Sequence, residues 1–258
     1  MIKLLIKILL VINSVINILG KNDIEISVVI PVHNTENYLR RSIQSVLNQT
    51  LKEIEIICVD DASTDNSLGI LEEFRKNDSR VKVYHFEENH GPSMARNKGI
   101  DMASGEFIGF MDDDDFMDER FYENLYKYSK DADVVVGIFV LSTNLSSSYL
   151  HHSKWRPHGS VFDSIFRKNF LDKYNVRFQN NMRIGEDIKF RLDCYKYNPR
   201  IIEIPDEGIY YYYKQREGSA MNFNKNFIKK IDHYAKRETK KRKKEIKKKK
   251  KEMKKGHN

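Results

Sequence analysis

Two cysteines in 258 residues exclude a disulfide scaffold and a cysteine-rich zinc module. Cys58 lies in an apolar run and Cys194 in a helical pattern, with no Cys-x-x-Cys spacing, so both read as core thiols. Five prolines and 12 glycines are too few for a collagen-like or linker-like chain. There is one tryptophan, but 14 Tyr, 14 Phe and 40% hydrophobic residues argue against wholesale disorder. The eight histidines form no His-Glu-x-x-His pattern, and His151-His152 reads as a solvated pair. There is no Gly-x-Ser-x-Gly elbow and no phosphate-cradling Gly-x4-Gly-Lys-Ser/Thr loop. The chain is long enough for one sizeable core with a small appendage.

Positive charge is also scarce where it would matter. The net charge is +8, but residues 236–258 hold 14 Lys/Arg and 3 Glu, which leaves the preceding 235 residues at −3. A near-neutral body lacks the basic face that nucleic-acid binding needs, and no nucleic-acid partner is expected. Lys247 to Lys251 could bind anionic lipid or RNA electrostatically; a solvated frayed helix or disordered end is the simpler account.

Residues 1–20 place Lys3 and Lys7 before an apolar run from Ile8 to Leu19. Asn13, Ser14 and Asn17 interrupt that run, which makes a poor spanning helix. The pattern suits a signal peptide or signal-anchor, and a plain amphipathic extension is the alternative. As a signal it would place the protein in a secretory lumen, outside the cell or at a membrane; otherwise the expectation is cytoplasmic. The triplets at Asn48, Asn77 and Asn144 are compatible with a secretory route.

Ile26 to Val32 is a β-branched run and reads as a buried strand. Asn34 is placed to cap a helix carrying Leu39, Ile43, Val46 and Leu47. Ile54 to Val59 is a second strand ending at Asp60-Asp61, and Thr64 opens a second helix through Leu68, Leu71 and Phe74. Val81 to Phe86 is a third strand, Pro92 starts a third helix with Gly105 beyond its end, and Phe107 to Met111 is a fourth strand. Alternation of this kind predicts βαβ units and a parallel sheet, with ligands outside the carboxyl ends of the strands. Beyond about residue 131, Asp133 to Val140 predicts one more strand, 143–148 a Ser-rich loop, the stretch from Arg183 to Asp187 leads into a helix through Tyr195, and Ile209 to Tyr213 predicts an aromatic strand.

Chemistry-bearing residues follow the strands. Asp112, Asp113, Asp114 and Asp115 repel one another and need solvent or a cation to offset that. At the end of an apolar strand they suit Mg²⁺ or Mn²⁺ with phosphate oxygens completing the shell; a solvated acidic loop is the alternative. Phe116-Met117 follow directly, which breaks an EF-hand pattern. Asp60 and Asp61 could accept from a base or ribose, while Ser63 or Thr64 caps the next helix. Arg96 and Lys98 are cations shortly before the acidic run, placed either for a base or diphosphate or simply on a surface helix. Glu186 and Asp187, after Gly185, offer a general base or a helix N-terminus.

In order the chain shows SVVIPVHNTENYLRRSIQSVLNQT, IICVDDASTD, NHGPSMARNKGID, GEFIGFMDDDD and IGEDIKF. This ordered set resembles the family 2 glycosyltransferases over roughly residues 26–220. The resemblance implies a GT-A fold: an α/β domain whose mostly parallel, Rossmann-like sheet is flanked by helices. It implies a nucleotide-sugar half at 21–130 and an acceptor-side half at 131–223, between the 1–20 segment and a Lys-rich tail at 224–258. It implies that Pro31, His33, Asn34 and Glu36 line the nucleotide site and that Asp60 and Asp61 meet base and ribose, Asp61 aligning best with the base. It implies Arg96 near base and diphosphate, Asp112 and Asp113 on the ribose and sugar side, Asp114 as the Mn²⁺ or Mg²⁺ ligand, and Asp187 as the base beside Glu186. The residues 216–219 resemble a loop that closes on the diphosphate. The implied partners are a nucleotide-sugar donor and a glycan, lipid or protein acceptor; membrane association, through residues 1–20 or a Lys-rich tail that the family does not share, is read from the sequence itself. Four aspartates replace the usual two or three, so Asp113 or Asp115 competes for the metal. No Gln-x-x-Arg-Trp motif is present, which points to single-sugar transfer. Rival readings are a non-catalytic sugar-nucleotide or glycan-binding module and a sugar-nucleotide pyrophosphorylase. The latter lacks its Gly-rich loop here, since His33-Asn34-Thr35 follows the first strand.

Overall fold

The structure is a computed structural model that describes residues 24–142, 149–153, 160–180, 182, 185–204 and 209–213. The 1–20 segment, the 143–148 loop, the 216–219 loop and the Lys-rich stretch lie outside the described residues. Among the described residues no helix is long and apolar enough to cross a membrane.

The β-branched runs form β1 (Ile26–Val32), β2 (Ile54–Asp61) and β3 (Val81–Phe86), with β4 at Phe107–Phe110. All eight residues of β2 are buried, as expected of a parallel strand covered on both faces. The first three helices are α1 (Glu36–Leu47), α2 (Ser67–Asn77) and α3 (Pro92–Met102). Next come β5 (Phe116–Met117), α4 (Phe121–Tyr126), β6 (Val134–Val136), β7 (Ile138–Ser142), β8 (Tyr149–Ser153) and β9 (Ser164–Arg167). The chain continues with α5 (Lys168–Lys173), α6 (Glu186–Tyr195), β10 (Ile201–Glu203) and β11 (Ile209–Tyr213). A seven-stranded sheet has the order β10-β6-β9-β4-β1-β2-β3, and a four-stranded sheet the order β5-β11-β7-β8. In the larger sheet only β9 runs antiparallel to its neighbours, β4 and β6. One face buries Leu39, Ile43, Ile70 and Leu71 of α1 and α2; the other buries Ala95 and Ile100 of α3 and an aromatic group around Phe110.

Three local expectations change. Asn34 does not cap α1: Thr35 holds that position, and Asn34 has a left-handed φ of 52°. Its side chain instead accepts from the Thr64 amide at 2.7 Å, so it binds two loops together. For the same reason α2 starts at Ser67, with Asn66 as its N-cap, and Ser63 and Thr64 stay in the loop. The strand expected at Asp133 to Val140 splits at Gly137, where the chain leaves one sheet for the other. A β-carbon at Gly137 would lie 3.3 Å from both the Asp163 carbonyl oxygen and Leu125 Cδ2. The antiparallel β9 had no sequence signal, because its four residues sit in a stretch of mixed aromatic and basic character.

Gly99 lets α3 pack directly on β1. A β-carbon there would come within 2.2 Å of Val29 Cγ1 and 2.9 Å of Cγ2. Valine is stiff at χ1 and cannot swing aside. Gly99→Ala is therefore expected to destabilise by about 1–3 kcal/mol, despite the better helix propensity of alanine. Urea unfolding at unchanged m-value measures this, and an equal or higher midpoint would contradict it.

Candidate functional site

The carboxyl ends of β1, β2 and β4 and the start of α6 converge on one region, as the parallel topology requires. The first wall is a set of interlocked loops. Pro31 is half-buried near the end of β1. The His33 amide donates to Asp113 Oδ2 at 3.0 Å, and its Nδ1 donates to the Asp61 carbonyl at 2.8 Å. Glu36 accepts from the Asn66 amide at 2.9 Å while its own amide donates to Asp65 Oδ2 at 3.1 Å. Asn34 and Glu36 thus both engage the loop after β2, where they hold the two loops in register.

Asp60 and Asp61 have opposite surroundings. Asp60 is fully buried, and its Oδ2 accepts from the Ser63 amide at 3.2 Å and from His85 Nδ1 at 2.8 Å. Asp61 Oδ1 and Oδ2 accept from the amides of His90 and Gly91, each at 2.7 Å, just ahead of α3. Those two bonds orient the carboxylate. Lys98 lies elsewhere, its Nζ 4.1 Å from the Tyr84 ring centroid.

The four aspartates alternate. Asp113 and Asp115 are buried, whereas Asp112 and Asp114 are half-buried. Asp113 Oδ2 accepts from Thr35 Oγ1 at 2.8 Å as well as from His33. Asp115 Oδ2 accepts from the Tyr210 hydroxyl at 2.7 Å, and that hydroxyl oxygen accepts the Asp112 amide at 3.1 Å. Burial and the Asp115 and Asp112 carboxylates push the Tyr210 hydroxyl well up, so it stays a donor. Arg41 donates to the Asp114 carbonyl at 2.8 Å, its guanidinium 4.3 Å from the Phe116 ring centroid. Like charges are thereby divided between an inner pair tied to other elements and an outer pair at the site.

Among the described residues no group of three or more His, Cys, Asp or Glu side chains is set to hold a metal. Two half-buried carboxylates after a buried strand nevertheless fit Mg²⁺ or Mn²⁺. Such ions take one or two carboxylates and fill the rest of their shell with water and phosphate oxygens. The alternation in burial favours Asp112 and Asp114 over Asp113 and Asp115 for that role.

Arg96 joins Asp112 of this outer pair to α6. It is 4% exposed on α3, and its Nη2 donates to Asp112 Oδ1 at 2.8 Å. Its Nη1 donates to Glu186 Oε1 at 3.0 Å and lies 3.3 Å from Asp187 Oδ1. Residues 16 and 90 positions apart in the chain meet at one guanidinium. Gly185, with a φ of 83°, turns the chain into α6 and sets Glu186 and Asp187 on its first turn. Burial pushes the Asp187 carboxyl up to about 7; Glu186 and Asp112 add to the rise, and Arg96 opposes it.

Thr35, Arg41, His85 and Tyr210 take part in this region without having been singled out in the sequence. Tyr210 sits in an aromatic strand 95 residues from Asp115, so no local pattern could mark it.

A family model described as glycosyl transferase family 2 matches residues 27–189. Glycosyltransferase GlyG of Streptococcus pneumoniae is 33% identical over 223 residues, covering 76% of this chain and 72% of that protein. The poly(ribitol-phosphate) beta-glucosyltransferase of Bacillus spizizenii is 30% identical over 213 residues, covering 77% of this chain and 33% of that protein. A crystal structure of S. aureus TarS in complex with UDP-GlcNAc superposes with a TM-score of 0.68 at 27% identity, covering 78% of this chain and 61% of that one. The chain thus spans less than two thirds of the TarS chain and a third of the Bacillus protein. With more than half its length inside the family model and the GT-A architecture on both flanks of its sheet, the chain belongs to glycosyl transferase family 2.

Proposed function

We propose that this protein moves one sugar from a nucleoside-diphosphate donor to an acceptor hydroxyl, inverting the anomeric carbon, with Asp187 as general base. The observation that carries the reading is the Arg96 cluster, which gathers Asp112 of the donor side with Glu186 and Asp187 of the acceptor side. Asp187 takes the proton of the acceptor hydroxyl as that oxygen bonds to the anomeric carbon. The bond from that carbon to the diphosphate oxygen breaks on the opposite face, and the nucleoside diphosphate leaves with its electron pair. One displacement converts an α-linked donor into a β-glycoside.

A carboxyl raised to about 7 is a competent base near neutral pH, stronger than an exposed aspartate yet largely ionised just above that value. Asp112 and Asp114 would hold a divalent ion, whose chemistry is to stabilise charge growing on the leaving diphosphate. Asp61, whose carboxylate two amides orient, would accept from the base. TarS holds UDP-GlcNAc, which makes UDP-sugars the first donors to try. The acceptor class is a glycan, lipid or protein hydroxyl.

The test uses the full chain with UDP- and GDP-sugars, in Mn²⁺, Mg²⁺ or EDTA, beside Asp114→Ala. The expected result is release of one nucleoside diphosphate that EDTA and Asp114→Ala both abolish. Turnover indifferent to EDTA would overturn the metal assignment. Donor binding without turnover would instead support a non-catalytic sugar-nucleotide module.

A further inference from the structure

We infer that Arg191 is a positioning residue for Asp187, fixing the helix that carries the base through a buried ion pair with Asp163. The inference rests on the reading of Asp187 as the base and adds to it a residue that does not touch the reacting atoms.

Arg191 lies four residues after Asp187 on α6, one turn away along the same face. It is 1% exposed, the largest fully buried side chain among the described residues. Its Nη2 donates to Asp163 Oδ1 and, at 2.6 Å, to Ser164 Oγ; its Nε donates to the Ser160 carbonyl. Asp163 is itself fully buried, and its main-chain carbonyl accepts the Gly137 amide at 2.8 Å. One guanidinium therefore ties α6 to the start of β9 and, through Asp163, to the point where the chain changes sheets.

Ordinary packing already holds this part of α6. Phe190 stacks on Phe178 at 4.2 Å and meets Phe110 and Phe166 edge-on. A buried ion pair rarely adds stability over apolar side chains of the same shape. What a planar fork with several fixed acceptors adds to an aromatic cluster is direction. Ring stacking tolerates rotation of the helix about its axis, and the Arg191 fork does not. α6 has no side-chain cap at its N-terminus, so its first turn is held by Arg96 in front and Arg191 behind. A displacement of about 1 Å at a reacting group costs on the order of 100-fold in rate.

The test is a double-mutant cycle on the full chain between Arg191→Lys and Asp187→Asn, read as kcat with radiolabelled donor and as donor Kd by calorimetry. Lysine keeps the charge and loses the fork. In the wild-type background Arg191→Lys is expected to lower kcat by about 10–100-fold. Donor Kd should stay within about twofold. In the Asp187→Asn background the same change should alter residual kcat by no more than about twofold, because a residue acting through Asp187 has nothing left to act on. An equal loss in both backgrounds, or no loss in the first, would overturn the inference. Full activity of Asp187→Asn alone would instead remove the base assignment. If Arg191→Lys does not fold, Asp163→Asn and Ser164→Ala take its place in the cycle, with the same two outcomes deciding.

Discussion

Asp187→Asn is expected to lower kcat by about 10²–10⁴-fold, the usual contribution of a positioned general base, while donor affinity changes little. Asparagine preserves shape and removes only the ability to take a proton. The wild-type pH profile should show the same group. Burial, Glu186 and Asp112 raise the Asp187 carboxyl from an ordinary 3.8 to about 7. Activity should therefore climb with pH and level off above about 7, and in Asp187→Asn this acid limb should vanish. Stability should run the other way. Between pH 3.8 and about 7 the native protein binds more protons at Asp187 than the unfolded chain does. This group then contributes stability that is lost as pH rises through its native pKa. Asp187→Asn should flatten that part of the stability curve. A variant that keeps both the acid limb and wild-type kcat would remove Asp187 from the reaction.

The second large effect is at Arg96. Arg96→Met keeps much of the volume and leaves Asp112, Glu186 and Asp187 facing one another without a cation. Removing one partner of a buried charge cluster costs about 3–5 kcal/mol, because the remaining charges are uncompensated. In a chain of this size that is a Tm drop of about 10 °C. The loss should be largest at pH 8, where Asp187 is ionised, and smaller at pH 6, where it can take up a proton. The remaining activity should show its acid limb shifted to higher pH, since Arg96, more than Arg191, holds the Asp187 carboxyl down. Scanning calorimetry at the two pH values, with a pH–rate profile, separates this from a simple packing defect. A Tm change independent of pH would mean that Asp187 does not titrate against Arg96 in this range.

Local pattern alone determined a good deal. Runs such as Ile26 to Val32 and Ile54 to Val59 point to buried parallel strands, because apolar, largely β-branched side chains dominate both of their faces. Pro92 marked the start of α3, and Gly185 lies just ahead of α6. Once the strands were parallel, residues at their carboxyl ends had to share one edge, so Asp60, Asp61 and Asp112 to Asp115 were legible as a site.

Only tertiary structure decided what each of those residues does there. In sequence the four aspartates are alike. They separate into buried Asp113 and Asp115 and half-buried Asp112 and Asp114 because His33, Thr35 and Tyr210 arrive from remote elements with donors for two of them. Asn34 has the composition of a cap and becomes a clamp because the loop after β2 offers it the Thr64 amide. Arg96 looks like a surface cation until α3 closes on β1 at Gly99 and carries it beneath Asp112, Glu186 and Asp187. Hydrophobic periodicity reports which residues must leave water. Which carboxylate finds which donor depends on contacts tens of residues apart, and these exist only once the sheet has assembled.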